Sequence, residues 1–413
     1  MHTIDDLLVD GQFLQDPYPA YQALRERGSV HWSEEFFQGA WLLTDHADVE
    51  RVLRDPRFSA ARTGGWVKRI DGIDPRDGDP RGYAEFRTFQ RLFARAMIFV
   101  DGPDHGRLRQ VLAAGFHPQV IRGFSTTIER LVVELLDTLD GRDFDFIEAF
   151  ARPLPSRVIA LLMGIDLADE KDFIAWSDDL VAFIGAPKPS VEQVRAAEHS
   201  LVALIHYFQA LLPARRKMPR DDLVSRLVIA EAEGKIRTDA ELLVQCAMLL
   251  LAGHETTRNL LGNGLHALLS HPSEWARLRE QPDLMPSALR EALRYSSPVQ
   301  YTGRRVVSDL QLHGHTLRRG DLVIALIGAA NRDPTRYTQP DVFDISRHEG
   351  SHLAFGSGPH VCIGAGLSLL EAELAFSHLM RYWPTMHASI EQARWNGNAA
   401  FRGLATLPVH RHL

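Results

Sequence analysis

Cysteine is nearly absent from this chain. Its 413 residues hold two, Cys246 and Cys362. That excludes a disulfide framework and any metal site built from several thiolates, and it fits a reducing compartment. No apolar run reaches the roughly 20 residues that a bilayer-spanning helix needs. The longest buried-looking stretch, residues 246–253, is far shorter. Residues 1–10 carry acids and no long apolar run, so neither a signal peptide nor a membrane anchor is expected, and the location is expected to be cytoplasmic. Positive charge is not in excess either. A net charge of −7 argues against nonspecific nucleic-acid binding. Internal repeats, low-complexity segments and a nucleotide-binding glycine fingerprint are also missing. What remains is ordinary for a soluble globular protein, 45% hydrophobic and 24% charged.

Residues 17–58 read as helix, two short strands and helix. Val30-His31-Trp32 and Trp41-Leu42-Leu43-Thr44 are the strand candidates, and Asp45 is positioned to cap the second helix. Residues 63–82, rich in Gly, Asp and Pro, read as a loop over a pocket. From 101 to 273 the pattern is mostly helical, with apolar residues three and four apart in 121–139 and 191–212. Residues 173–190 read as a helix entering a hinge-like turn. Residues 306–326 hold short β-rich runs broken by Gly314 and Gly320. The expected fold is therefore mainly α with a small β portion, in a single domain over 1–413.

Chemistry concentrates in two places. The first is Phe355-Gly356-Ser357-Gly358-Pro359-His360-Val361-Cys362-Ile363-Gly364, ahead of an apolar helix. Unpaired N–H groups and the dipole at a helix start favour a thiolate at Cys362. Flanking glycines clear space for something flat. A lone thiolate suits one axial position of a haem iron better than zinc or an iron–sulfur cluster, which need several ligands. The second place is residues 242–260, a helix that reads as buried until Gly253-His254-Glu255-Thr256-Thr257 breaks the pattern. Gly253 disfavours helix, and Thr256 can bond the carbonyl of Ala252, opening the ladder beside a metal. Glu255 offers a proton and Thr256 a hydroxyl donor. Cys246 reads as plain core packing. His254 reads as a pocket-wall residue or a member of the proton network.

Both segments resemble motifs of the cytochrome P450 family, the haem-thiolate monooxygenases. The first fills every specified position of Phe-Gly-x-Gly-x-His-x-Cys-x-Gly, and the second fills Ala-Gly-x-(Asp/Glu)-Thr. The resemblance runs from Pro17-Tyr18-Pro19 to Leu407-Pro408-Val409 and is to the soluble bacterial type. It implies a haem b between the long central helix and the Cys-loop helix, with Cys362 on the iron and Phe355, His360 and Gly364 around it. It implies Glu255 and Thr256 as the acid–alcohol pair of oxygen activation. Glu291-Ala292-Leu293-Arg294 matches the family's Glu-x-x-Arg signature, implying a buried Glu291–Arg294–Arg347 brace. Asp101-Gly102-Pro103-Asp104-His105-Gly106-Arg107-Leu108-Arg109 resembles its Asp-x-Pro-x-His-Thr-Arg-Leu-Arg helix, departing at Gly106. Haem propionates would then meet His105, Arg109, Arg304 and His360, with Arg305 leaving a one-residue ambiguity.

The resemblance further implies oxygen insertion into a lipophilic small molecule, as hydroxylation or epoxidation in specialised metabolism. With no reductase segment in the chain, electrons from NAD(P)H would come through a ferredoxin or flavodoxin and its reductase. A monomer is expected. Oxidative coupling, rearrangement and non-catalytic ligand sensing on the same haem are the alternatives. Family-placed pocket residues are Trp66, Phe86, Phe99, Phe183, Ala252, Val299 and Phe401, whose apolar character suggests a fairly large substrate.

Overall fold

The computed structural model describes residues 3–9, 11–63, 90–139 and 143–411. The helices that frame the site are α1 (His46–Arg54), α2 (Gly102–Ala113), α3 (Pro118–Thr138), α4 (Pro153–Met163), α5 (Glu170–Ile184), α6 (Val191–Lys217), α7 (Asp239–Ser270), α8 (Met285–Tyr295) and α9 (Ala365–Tyr382). Strands β1 (Val30–Ser33), β2 (Ala40–Leu43), β3 (Phe58–Ser59), β4 (Thr302–Val306) and β5 (Leu322–Ala325) make one five-stranded sheet, ordered β1-β2-β5-β4-β3. β2 and β5 pair in parallel; the other pairs are antiparallel. The fold is thus mainly α with small sheets.

α7 is the axis of the molecule, 32 residues and about 48 Å long. Thr238 caps it by accepting the N–H of Glu241 at 3.1 Å, and Asp239 and Glu241 place negative charge in its first turn. Its run from Leu242 to Leu251, apolar but for Gln245, is buried throughout, because α4, α5, α6, α8 and α9 all pack on it. Cys246 lies inside that core, as expected. The helix continues through Gly253, and the expected bond from Thr256 to the Ala252 carbonyl forms at 3.3 Å. Gly253 allows close packing: a Cβ there would stand 2.5 Å from Cγ1 of Ile159 on α4.

α6 opens with a capping box between Ser190 and Gln193. The cap of α1 differs from expectation. Asp45 makes no side-chain cap bond; the N–H of His46 donates instead to Oδ2 of Asp333 at 2.8 Å, supplied from 287 residues away. Apolar side chains fill both faces of the sheet and join two further core clusters. No described helix is long and apolar enough to cross a membrane.

Candidate functional site

The Cys loop is closed by the N–H of Cys362 donating to the carbonyl of Phe355 at 2.9 Å. Gly356 and Gly358 have φ of +73° and +71°, the left-handed region that favours glycine. At Gly358 a Cβ would also stand 3.0 Å from the carbonyl oxygen of Leu53 in α1. Gly364 is different: a Cβ there would make only ordinary contacts with Phe116 and Cys362. The Cys362 side chain opens on an internal cavity, exposed to that space yet removed from bulk water. Burial pushes its pKa up, while the N–H groups of Gly364 and Ala365 and the charge of Arg109 pull it down. Burial is the largest of these effects. A metal cation would displace the proton.

Thr256 lines the same cavity from α7, its Oγ1 donating to the carbonyl of Ala252 at 3.3 Å. Glu255 does not reach the cavity wall. It is buried, accepting from Arg258 Nη2 at 2.6 Å and Asn259 Nδ2 at 3.2 Å. Arg258 in turn lies 3.6 Å from Asp178 on α5. The acid therefore belongs to a polar seam between α7 and α5. His254 also turns away from the cavity. Its Nδ1 donates to the carbonyl of Leu250 at 2.8 Å, Nε2 is buried, and burial lowers its pKa to about 4.

One end of the cavity is cationic. Arg109 and Arg304 line it, as does His360. The His105 and His360 rings stack with centroids 4.0 Å apart. Burial, then the neighbouring positive groups His360 and Arg109, lower the pKa of His105 to about 4; burial lowers that of Arg304 to about 10 against the opposing pull of Asp101. The β4–β5 register resolves the Arg304/Arg305 ambiguity: Arg304 is buried against the cavity, whereas Arg305 donates outward to the carbonyl of Gly320. Two members were not anticipated. Arg62, just after β3, lines the cavity. Asp101 accepts from Ser59 and from the N–H of Ala60, and lies 3.7 Å from His360. The Asp-x-Pro run was legible as a helix start, but it did not reveal these partners across 41 and 42 residues.

Behind the Cys loop, Glu291, Arg294 and Arg347 come together. Arg294 grips Glu291 through two bonds of 2.7 and 2.8 Å, and Arg347 Nε approaches it at 3.2 Å. Arg294 also donates to the carbonyls of Asn331 and Pro340, and the N–H of Asp344 donates to Glu291. This ties α8 to the segment leading into the loop.

The family model for Cytochrome P450 matches residues 76–387. Cytochrome P450 107B1 of Saccharopolyspora erythraea is 38% identical, with 98% of each chain covered. A biotin biosynthesis cytochrome P450 of Bacillus subtilis is 33% identical over 98% of this chain and 99% of its own. The crystal structure of P450BioI with an acyl carrier protein bearing hexadec-9Z-enoic acid superposes with a TM-score of 0.87, at 33% identity, covering 97% of this chain and all of that one. The chain belongs to the cytochrome P450 family. It is a P450 monooxygenase.

Membership implies haem, and the residues present fit it. One cysteine thiol faces the cavity, guanidinium and imidazole groups gather at one end, and the buried Nε2 of His105 has no hydrogen-bond partner among the described residues. The P450 cavity measures about 340 Å³, within the usual range for a small-molecule site. Ala252, Val299 and Phe401 line it as expected, joined by Phe37, Met97, Ile98, Ile184 and Met248. Phe99 and Phe183 do not. Phe99 packs on Phe93 with ring centroids 5.2 Å apart, and Phe183 points into the core. Their neighbours Ile98 and Ile184 take the wall positions instead. Trp66 and Phe86 lie outside the described residues.

Proposed function

We propose that this P450 inserts one oxygen atom from O₂ into a lipophilic small molecule, by hydroxylation or epoxidation, in specialised metabolism. The observation that carries this reading is the apolar wall around Thr256 and Cys362 in one cavity. A neighbour that holds a long acyl chain on a carrier protein is consistent with such a substrate. Met97, Ile98, Met248, Leu249, Val299 and Phe401 would exclude water and hold the substrate by shape and burial rather than by charge.

Cys362 would ligate the iron, with Arg109, Arg304, His105 and His360 on the propionates and Phe355 and Gly364 shaping the loop. Bound haem supplies the redox chemistry of O₂, with a thiolate ligand that favours O–O cleavage. The chain's own part is to place substrate and meter protons. The Thr256 hydroxyl would donate into the cavity, exchanging its long bond to Ala252. Glu255 would pass protons to that region from the seam it shares with Arg258 and Asp178. The Glu291–Arg294–Arg347 brace would hold the loop and do no chemistry. We further propose one domain acting as a monomer in the cytoplasm. NAD(P)H would supply electrons through a ferredoxin or flavodoxin and its reductase.

Two measurements test this. NAD(P)H with a surrogate ferredoxin pair should yield oxygenated product from a panel of fatty acids, steroids and polyketides that shift the ferric haem spectrum. Binding without turnover across all partners would favour sensing. Cys362→Ser should lose the thiolate-type ferrous–CO spectrum; an unchanged spectrum would contradict the ligand assignment.

A further inference from the structure

A strained turn aims one aromatic ring into the cavity. In the connection between β1 and β2, Phe37 and Gln38 have φ of +54° and +57°. Those left-handed values are unfavourable for bulky side chains, and glycine would adopt them freely. Such strain persists only where the surroundings over-determine the backbone. Here they do. The Asp5 carboxylate, on the short helix Ile4–Val9, accepts from the hydroxyl of Ser33. It also accepts from the N–H groups of Glu34 and Glu35, each at 3.3 Å. The N–H of Phe36 donates to Oγ of Ser33 at 2.9 Å, and that of Gln38 to the carbonyl of Glu35 at 3.1 Å.

Successive side chains of an extended strand point to opposite faces. The left-handed turn lets two successive rings meet one partner instead. Phe36 and Phe37 both meet Tyr301 edge-on, with centroids 5.3 and 5.8 Å away, and each other at 5.3 Å. Phe36 is buried in the core. Phe37 stays half-buried and lines the cavity. Tyr301 stands just before β4, three residues from Arg304, so about 10 Å along the extended chain from the cationic end.

We propose that Phe37 closes the end of the cavity away from Arg304 and His360, and that its ring limits how long a lipophilic substrate this P450 accepts. The inference rests on the haem reading above, but on a residue outside the motifs that carry it.

The test uses butyl-, octyl- and dodecylimidazole. Their ring nitrogen binds ferric haem iron, so the alkyl chain measures the cavity from that point. Spectral titration gives a dissociation constant for each. Every buried methylene tightens binding until the chain meets a stop. Phe37→Ala should bind dodecylimidazole at least threefold more tightly than wild type, and Phe37→Trp at least threefold more weakly. Butylimidazole should bind all three proteins alike. Phe37→Gly removes the ring and relieves the backbone, so it should match Phe37→Ala and replaces it if that variant does not fold. Any other length profile in variants that keep the ferrous–CO spectrum, whether unchanged, altered alike at all lengths or shifted the opposite way, would overturn the proposal alone. A wild type that gives no imidazole-type spectrum would overturn the haem reading with it.

Discussion

Thr256 puts a hydroxyl on the cavity wall while its Oγ1 holds the Ala252 carbonyl at 3.3 Å. Replacing it by Ala removes the donor and leaves a good helix former. Thr256→Ala should therefore keep haem and substrate binding but divert electrons, so that peroxide formed per NAD(P)H consumed rises several-fold. Full coupling to product would remove Thr256 from the mechanism. His254 makes a pH prediction. Its pKa is about 4 in the folded protein, against roughly 6.5 when exposed. Between those values the unfolded chain binds the extra proton. Stability is thus complete above pH 6.5 and falls as pH drops toward 4. For this one group the loss from pH 7 to pH 5 is about 2 kcal/mol. Urea unfolding at both pH values should show a smaller difference in His254→Leu; an unchanged difference would refute the assignment. Single residues were legible as cavity-wall positions where their motif is contiguous, as for Cys362 and Thr256. They were not where neighbours decide. Ile98 and Ile184, not Phe99 and Phe183, face the cavity, because only packing fixes which side of a turn points inward.

Helices carried strong signals because their apolar residues recur at the helical period, and caps such as Thr238 and Ser190 mark their starts. The two-residue strand β3 gave none. It exists because Phe58 pairs with Val306, nearly 250 residues on, and chain-local pattern does not encode such partners. Gly253 carries the same lesson: its local propensity disfavours helix, yet Ile159 of another helix decides its role. The element-scale prediction concerns the brace between α8 and the loop segment. Glu291 is 2% exposed and relies on Arg294 for two of its bonds. Arg294→Leu leaves that carboxylate buried with Arg347 as its remaining cation. The cost should be about 3–5 kcal/mol, with faster haem loss, measured by urea unfolding and apomyoglobin transfer. A loss under about 1 kcal/mol would show that the network contributes specificity rather than stability.

Across the whole molecule, motif spacing over almost the entire chain made the mainly α architecture legible, but not how distant segments close over the cavity. Three segments converge on α5 and the turn that follows it. The hydroxyl of Tyr301, beside β4, donates to the carbonyl of Gly185 at 3.1 Å. Asn398 Nδ2, near the C-terminus, donates to the carbonyl of Val181 at 3.0 Å. Lys188 reaches Glu35, between β1 and β2, at 3.7 Å. Asn398 packs so tightly that a Cβ on Gly185 would stand 1.9 Å from its Oδ1. Ile184, Tyr301, Phe37 and Phe401 from these same segments all line the cavity. Opening this wall must break the bonds from Tyr301 and Asn398, each worth about 1 kcal/mol net. Asn398→Ala removes one of them without touching Thr256 or Cys362. Entry and exit of a ligand that shifts the ferric spectrum should both quicken, about threefold to tenfold, while the dissociation constant changes little, because the bond gates passage rather than holding ligand. Stopped-flow absorbance reads both rates. Unchanged rates in a folded variant would mean that ligand enters by another wall.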